Sequence, residues 1–268
     1  MNLTDLLDEV VKIAKEAAQI IEKSKLNAEF SMKSDNTFVS KVDINVEEFI
    51  SLALKSLDYN IPVFGEELGV SGMETHDTYW LIDPIDGTAW YRLGVPIYGS
   101  LISLIDKGEP VLGCVALPGI NEVCYAAKGH GCFIETPYQA ATRVSIEDPV
   151  TSVKEAVITA SGIHGTNLWL ENGKYPWRID NVFQEARLFK LSGDCIQHVQ
   201  VACGRVDAAI DTIMKPWDSA ALIICLREAG AVVMDLHGNQ DQLLQRDSLL
   251  SAASLPLAQE LLEKLSYQ

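Results

Sequence analysis

The sequence predicts a layered α/β fold, with an antiparallel meander in its N-terminal half and strands alternating with helices in its C-terminal half. Three observations lead there. The first 25 or so residues repeat apolar side chains at helical spacing. Residues 61–135 break into short β-rich runs parted by Gly, Pro and Asp. Past about residue 150 such runs alternate with helical ones. A chain of 268 residues, 48% hydrophobic, can bury an ample core. It reads as a single domain, 1–268, with two lobes split near 145–155.

In chain order, the segment to about Lys25 carries Leu3, Leu6, Leu7, Val10, Val11, Ile13, Ala14, Ala17, Ala18 and Ile21 on an amphipathic helix. A second helix is predicted over 44–57, with Asp43 as its N-cap. The runs IPVFGEE, TYWLIDPIDG, IYGSLISLI, PVLGCVAL and NEVCYAAKGHGCFIE then read as strands of the meander. In the second half, EAVITAS is a strand, 193–203 a helix, RVDAAID a strand, SAALIICLREAG a helix stopped by Gly230, and AVVMD a strand.

Charge excludes some functions. Asp plus Glu outnumber Lys plus Arg by 37 to 21, a formal charge of −16, so a general basic face for nucleic acid or anionic lipid is not expected. The N-terminus lacks the basic, apolar and small-residue regions of a secretory signal, which makes the cytoplasm the expected compartment. No apolar run approaches the roughly 20 residues that span a bilayer. Six cysteines (114, 124, 132, 195, 203 and 225) without a CxxC are expected to be reduced, buried and apolar in role.

The chemistry concentrates in acidic residues at strand ends. In WLIDPIDGT (80–88), Pro84 fixes φ and lacks a ladder donor while Gly87 permits unusual dihedrals. The turn can thereby aim Asp83, Asp86 and the Ile85 carbonyl at one point. An all-oxygen donor set suits a hard cation such as Mg²⁺. The Gly87 and Thr88 amides can receive a phosphate oxygen, and the Thr88 hydroxyl can orient a water. Glu66 and Glu67 in FGEELG, and Asp218 in KPWDSAAL, sit at similar strand-to-loop or helix-start positions. A lone Asp218 there would be read as a helix cap.

At these residues the chain resembles the inositol monophosphatase superfamily of Mg²⁺-dependent, lithium-sensitive phosphatases. The motifs GEE (65–67), WLIDPIDGT (80–88), GRVDAAID (204–211) and PWDSAA (216–221) occur in family order over nearly the whole chain. The resemblance implies an αβαβα sandwich and a dimer. It also implies that Glu66, Asp83 and the Ile85 carbonyl bind one Mg²⁺, that Asp83, Asp86 and Asp218 bind a second, and that a third ion can enter. Thr88, Asp43 and Glu66 would be the catalytic set, Asp43 partnering Thr88 through the KSDNTFVSKVD stretch (33–43), where Ser40 stands in place of the usual Thr. Two cations near a phosphate monoester would cancel its charge, acidify the attacking water and stabilise the leaving oxygen. Clustered carboxylates repel, so Mg²⁺ is expected to stabilise the fold too.

Substrate residues are expected in the second half. Ser192, Gly193 and Asp194 begin a predicted helix, and Asp211 occupies the position from which the family addresses substrate hydroxyls. The run Ser192, Gly193, Asp194, Cys195 replaces the Gly-Ser-Ala type run of inositol phosphatases. With GVPIYGSLISLIDKGEPVLG (94–113), it resembles the histidinol-phosphate phosphatase branch, in which Asp194 could pair with a substrate amine. Helix capping is the competing reading of Asp194. Inositol monophosphate, adenosine bisphosphate and fructose bisphosphate are the other substrates weighed, and a regulatory protein-binding member of the fold is the non-enzymatic alternative. No GxSxG elbow supports a serine hydrolase. His76, His130, His164, His198 and His237 lack zinc-ligand spacing. Trp90 and Tyr91 line the pocket mouth or pack.

Overall fold

Asn2 caps the first helix, its side chain accepting the Thr4 amide at 3.1 Å. That helix, α1 (Leu3–Ser24), buries Leu6, Leu7, Val10, Ala14, Ala17 and Ile21 along the stripe that the apolar spacing foretold. The computed structural model describes residues 2–33, 38–57, 59–161 and 177–266. His164 and positions 34–37 of the KSDNTFVSKVD stretch lie outside them. A two-stranded antiparallel ribbon, β1 (Phe30–Met32) and β2 (Phe38–Ser40), leads into α2 (Lys41–Lys55). The sequence reading placed the N-cap of this helix at Asp43. The cap is Ser40, and Asp43 is the third helical residue, whose carboxylate reaches back to the Ser40 N–H at 2.9 Å. Ser followed by Asp three places on is a reciprocal capping arrangement, which satisfies two orphan donors where Asp43 alone would satisfy one.

A seven-stranded sheet follows: β3 (Val63–Gly65), β4 (Thr78–Asp86), then after the short helix α3 (Thr88–Leu93), β5 (Gly99–Asp106), β6 (Glu109–Leu117), β7 (Glu122–Ala127), β8 (Gly131–Thr136) and β9 (Gln139–Val144). The strands lie side by side in chain order. Two features depart from the expected meander. β9 extends it beyond residue 135, and β3 pairs parallel with β4. The exposed, Thr- and Arg-bearing β9 is an edge strand with little apolar signal.

The C-terminal part contains β10 (Val157–Ser161), α4 (Ile179–Glu185), β11 (Leu188–Leu191), α5 (Asp194–Ala202), β12 (Ala208–Asp211), α6 (Pro216–Ala229), β13 (Val232–Met234), β14 (Leu249–Ala252) and α7 (Leu255–Leu265). Its mixed sheet runs β11-β10-β12-β14-β13. Gly230 stops α6 in the left-handed region, φ 89°, as a C-terminal glycine does.

Three apolar clusters set the layers. α1 and α2 cover one face of the large sheet, α5 and α6 fill the space between its other face and the mixed sheet, and α4 and α7 pack on the far side. The result is an αβαβα sandwich. α6 is apolar around most of its circumference because it is buried from both sides. Five of the six cysteines are buried, as expected of small apolar residues. The Cys124, Cys132 and Cys225 thiols gather within 4.8 Å of one another between the large sheet and α6. They sit among Leu, Ile and Val side chains of the middle cluster, where a cation held by several thiolates would leave net negative charge in an apolar core. Among the described residues no helix is long and apolar enough to cross a membrane.

Candidate active site

The parallel pairing of β3 with β4 builds the first half of the site. Gly65 pairs with Ile82, and the Glu66 N–H donates to the Ile82 carbonyl at 3.2 Å. Both strands therefore end at the same edge, and Glu66 leaves the sheet beside Asp83. Antiparallel pairing would have carried it to the opposite end. β4 is buried nearly throughout, and its register with β5 shifts between Asp83 and Asp86. That bulge falls at Pro84, which has no N–H to give the ladder.

The bulge and the start of α6 bring Asp83, Asp86 and Asp218 together. Each offers a carboxylate oxygen, all within 4.8 Å of one another. Asp86 Oδ2 accepts the Cys195 N–H of α5 at 2.5 Å, and Asp218 Oδ2 accepts the Lys215 N–H at 2.8 Å. Asp218 is thus the third residue of its helix and does act on the helix start, while its carboxylate also joins the trio. Burial pushes all three carboxyls up, and their mutual repulsion adds to it. Asp83 rises well above the usual range through desolvation and then through Glu66, Asp86 and Asp218. Desolvation and then the Asp194 and Asp218 charges raise Asp86, while desolvation above all takes Asp218 to about 7.

Glu66 stands beside the trio, its charge felt at Asp83 and Asp218, but its Oε1 is held by the Lys33 ammonium at 2.7 Å. Lys33 also meets Glu67 at 2.5 Å. Asp43 and Thr88 meet as the resemblance implied. The Thr88 hydroxyl lies 3.3 Å from Asp43 Oδ1 and 2.9 Å from the Ile85 carbonyl. It has one proton for these two acceptors, so engaging the Ile85 carbonyl elsewhere would leave that proton to Asp43. Asp43 Oδ2 meanwhile accepts both the N–H and hydroxyl of Ser40, so the Ser that replaces Thr retains the bond.

On the other side lies the start of α5. Gly87, φ 80°, opens α3, and a Cβ there would sit 2.8 Å from Asp194 Oδ2. Glycine is thus required both for the dihedral and for the approach of Asp194. Gly193 precedes the helix, and a Cβ on it would run into the Trp90 indole, so Trp90 walls this side. Asp194 is the first helical residue, with φ 52°, a left-handed conformation that non-glycine residues seldom take. Strain of that kind collects at ligand sites. Ser192 and Asp211 have partners of their own. The Ser192 N–H is taken by the Ala160 carbonyl. Asp211 is buried with Oδ2 on Ser161 (2.6 Å) and Gln197 (3.3 Å) and Oδ1 on the Ile213 N–H, and burial raises it to about 7. Tyr91 packs, its hydroxyl donating to the Ile21 carbonyl.

Two neighbours escaped the sequence reading: Lys33 and Glu47. Glu47 is wholly buried under the GEE turn and is raised to about 7, chiefly by desolvation. Its signal was present, since Asp43 and Glu47 stand four apart on the same face of α2 as Val46 and Ile50, where an acid without a partner is costly.

The donor set fits a hard cation. It consists of carboxylate oxygens, and Asp83 Oδ1 is buried with no hydrogen-bond partner, the state of a ligand atom whose partner is an ion.

The chain is similar to known proteins over nearly its whole length. The family model described as "Inositol monophosphatase family" matches residues 2–267. A Chlorobaculum parvum protein named histidinol-phosphatase is 34% identical over 223 residues, 82% of this chain and 80% of its own length. One from Mesorhizobium japonicum, named inositol-1-monophosphatase, is 28% identical over 274 residues, covering 96% of this chain and 99% of its own. The solved structure of a Thermotoga maritima IMPase superposes with a TM-score of 0.82 at 24% identity, covering 97% of this chain and 96% of that one.

Proposed function

The chain belongs to the inositol monophosphatase family and is a phosphoric monoester hydrolase, and we propose that it uses Mg²⁺ to hydrolyse a small phosphate monoester whose alcohol carries a cation, with L-histidinol phosphate as the first choice. The observation that carries this reading is the carboxylate of Asp194, pressed against Gly87 and raising Asp86 by its charge. A fourth acid beside a trio of carboxylates costs repulsion, which a cationic substrate group would relieve. A neutral inositol ring offers that acid only hydroxyl donors. The 34% identical histidinol-phosphatase supports the same choice.

In this reading Glu66, Asp83, Asp86, Asp218 and the Ile85 carbonyl would hold two or three Mg²⁺ ions, and Li⁺ would inhibit. Bound there, Mg²⁺ supplies charge neutralisation at the phosphoryl group and a more acidic water. Thr88 would orient a water through its hydroxyl oxygen, its own proton being donated as a hydrogen bond to Asp43 Oδ1 or to the Ile85 carbonyl. The Gly87 and Thr88 amides receive a phosphate oxygen at the start of α3. Trp90 and Gly193 shape the side on which the alcohol sits. The carboxylates come from both sheets' surroundings, so the chain acts as one catalytic unit whose lobes part near 145–155.

Two experiments test it. Phosphate release with Mg²⁺ is compared over L-histidinol phosphate, inositol 1-phosphate, an adenosine bisphosphate and fructose 1,6-bisphosphate, and the first should show the highest kcat/KM. Preference for inositol 1-phosphate would favour the second reading, which the Mesorhizobium relative supports. Release from none would favour a protein-binding role. Separately, Asp194→Asn should raise KM for histidinol phosphate about 10- to 100-fold, the loss of one charge-assisted hydrogen bond. KM for inositol 1-phosphate should move far less, and equal rises for both would remove the charge argument.

A further inference from the structure

The GEE turn is held from beneath by a buried acid. Glu47 lies one helical turn beyond Asp43 and is fully shielded from solvent. Each of its oxygens takes one amide of the turn: Oε2 accepts from Glu67 N–H at 3.0 Å and Oε1 from Leu68 N–H at 2.5 Å. The Gly69 N–H closes the turn on the Gly65 carbonyl at 2.9 Å. A Cβ on Gly65 would lie 2.6 Å from Glu47 Oε1, so the turn wraps the carboxylate with no space to spare. Packing alone does not call for an acid here, because an apolar side chain would fill the same volume without the desolvation cost. What the carboxylate adds is direction: two consecutive amides, at the two residues after Glu66, are fixed on one group. The Ile82 carbonyl fixes the turn's entry at the Glu66 N–H.

From this geometry we propose that Glu47 is a positioning residue, which clamps residues 66–68 so that the Glu66 carboxylate is presented to the cation site. The inference rests on the assignment of Glu66 as a cation ligand. Glu47 touches neither substrate nor ion. It acts through the backbone, as the outer partners of metal ligands do, and such partners typically change metal affinity or activity by about 10- to 100-fold when altered.

Two variants disturb the clamp from opposite sides. Glu47→Gln keeps the shape but sets an NH₂ against one of the two amides. Gly65→Ala leaves the charge in place and pushes the carboxylate away. Mg²⁺ binding is measured by calorimetry without substrate, and amide exchange is followed at Glu67 and Leu68. Both variants should weaken Mg²⁺ binding about 10- to 100-fold and speed exchange at those two amides, with kcat at saturating Mg²⁺ close to wild type. A melting temperature that falls while the Mg²⁺ Kd stays at the wild-type value would make Glu47 a packing residue and overturn the inference. Wild-type protein that binds no Mg²⁺ would instead overturn the assignment of Glu66 beneath it. Should Glu47→Gln fail to fold, Gly65→Ala alone decides, since it retains the acid.

Discussion

Asp83→Asn should abolish Mg²⁺-dependent phosphate release while leaving the metal-free protein at least as stable as wild type. Asp83 is 1% exposed, and its Oδ1 has no hydrogen-bond partner. Its carboxyl is pushed up by desolvation and by Glu66, Asp86 and Asp218, which favours the protonated form when no metal is bound. Asn has the shape of that protonated acid and can still donate to Asp218, while it removes one of four clustered acids. Folding therefore loses little, because Asn keeps the shape of the protonated acid and cannot ionise beside the other carboxyls. Catalysis would lose a buried carboxylate oxygen of the proposed cation site. Charge stabilisation by such ions amounts to several kcal/mol, so kcat/KM should fall by roughly 10³-fold or more. The rise in melting temperature that Mg²⁺ confers should shrink with it. A buried residue that only supports the fold would lose stability together with activity. A variant that melts several degrees lower and still turns over would remove Asp83 from the site.

The parts of the site written in consecutive residues were legible from the amino-acid order itself. Asp83, Ile85, Asp86, Gly87 and Thr88 lie within six positions, but the sharp turn expected between the aspartates is a register shift inside β4, which runs on to Asp86 because a bulge absorbs the missing Pro84 donor. The apolar stripe of α1 and the glycine stop of α6 were equally plain. What the sequence concealed depends on pairing over distance. Nothing in IPVFGEE states that β3 runs parallel to β4, yet that pairing alone carries Glu66 to Asp83. Asp43 reads as the cap because Asp is a capping residue, and the reciprocal bond that makes Ser40 the cap instead is a matter of three-dimensional fit. β1, β2, β11 and β14 are three or four residues long, too short for a period-2 pattern to separate from loop. The bond from Ser161 to Asp211, fifty residues apart, is likewise a contact that no local pattern announces.

In EDTA, the protein should lose stability as pH rises from about 5 to 8, and Mg²⁺ should restore most of it at the upper end. The sign follows from the direction of the shifts. Asp218 and Asp211 go from 3.8 to about 7, and Glu47 from 4.5 to about 7, with burial the leading cause in each. A carboxyl whose folded value exceeds its unfolded one binds a proton more tightly when folded. Its contribution is complete below the unfolded value and disappears as pH climbs through the folded one. Groups shifted the other way, such as Glu29 and Asp180, are exposed and titrate below this window. Lys33 is raised from 10.5 and stays charged throughout it. A net loss of a few kcal/mol lowers the melting temperature by roughly 5–10 °C for a chain of this size. Mg²⁺ binds the deprotonated carboxylates, so protons compete with it more strongly at pH 5 than at pH 8. Ligand at 100 times its Kd adds about 2.7 kcal/mol, and the gain should therefore be larger at the higher pH. Asp211 and Glu47 stand outside the trio of carboxylates and should leave a residual downward slope even with Mg²⁺ saturating. Scanning calorimetry at pH 5, 6.5 and 8 with EDTA or Mg²⁺ measures each part. A melting temperature indifferent to pH in EDTA, or a Mg²⁺ increment equal at pH 5 and 8, would mean that these carboxyls do not titrate against the ion.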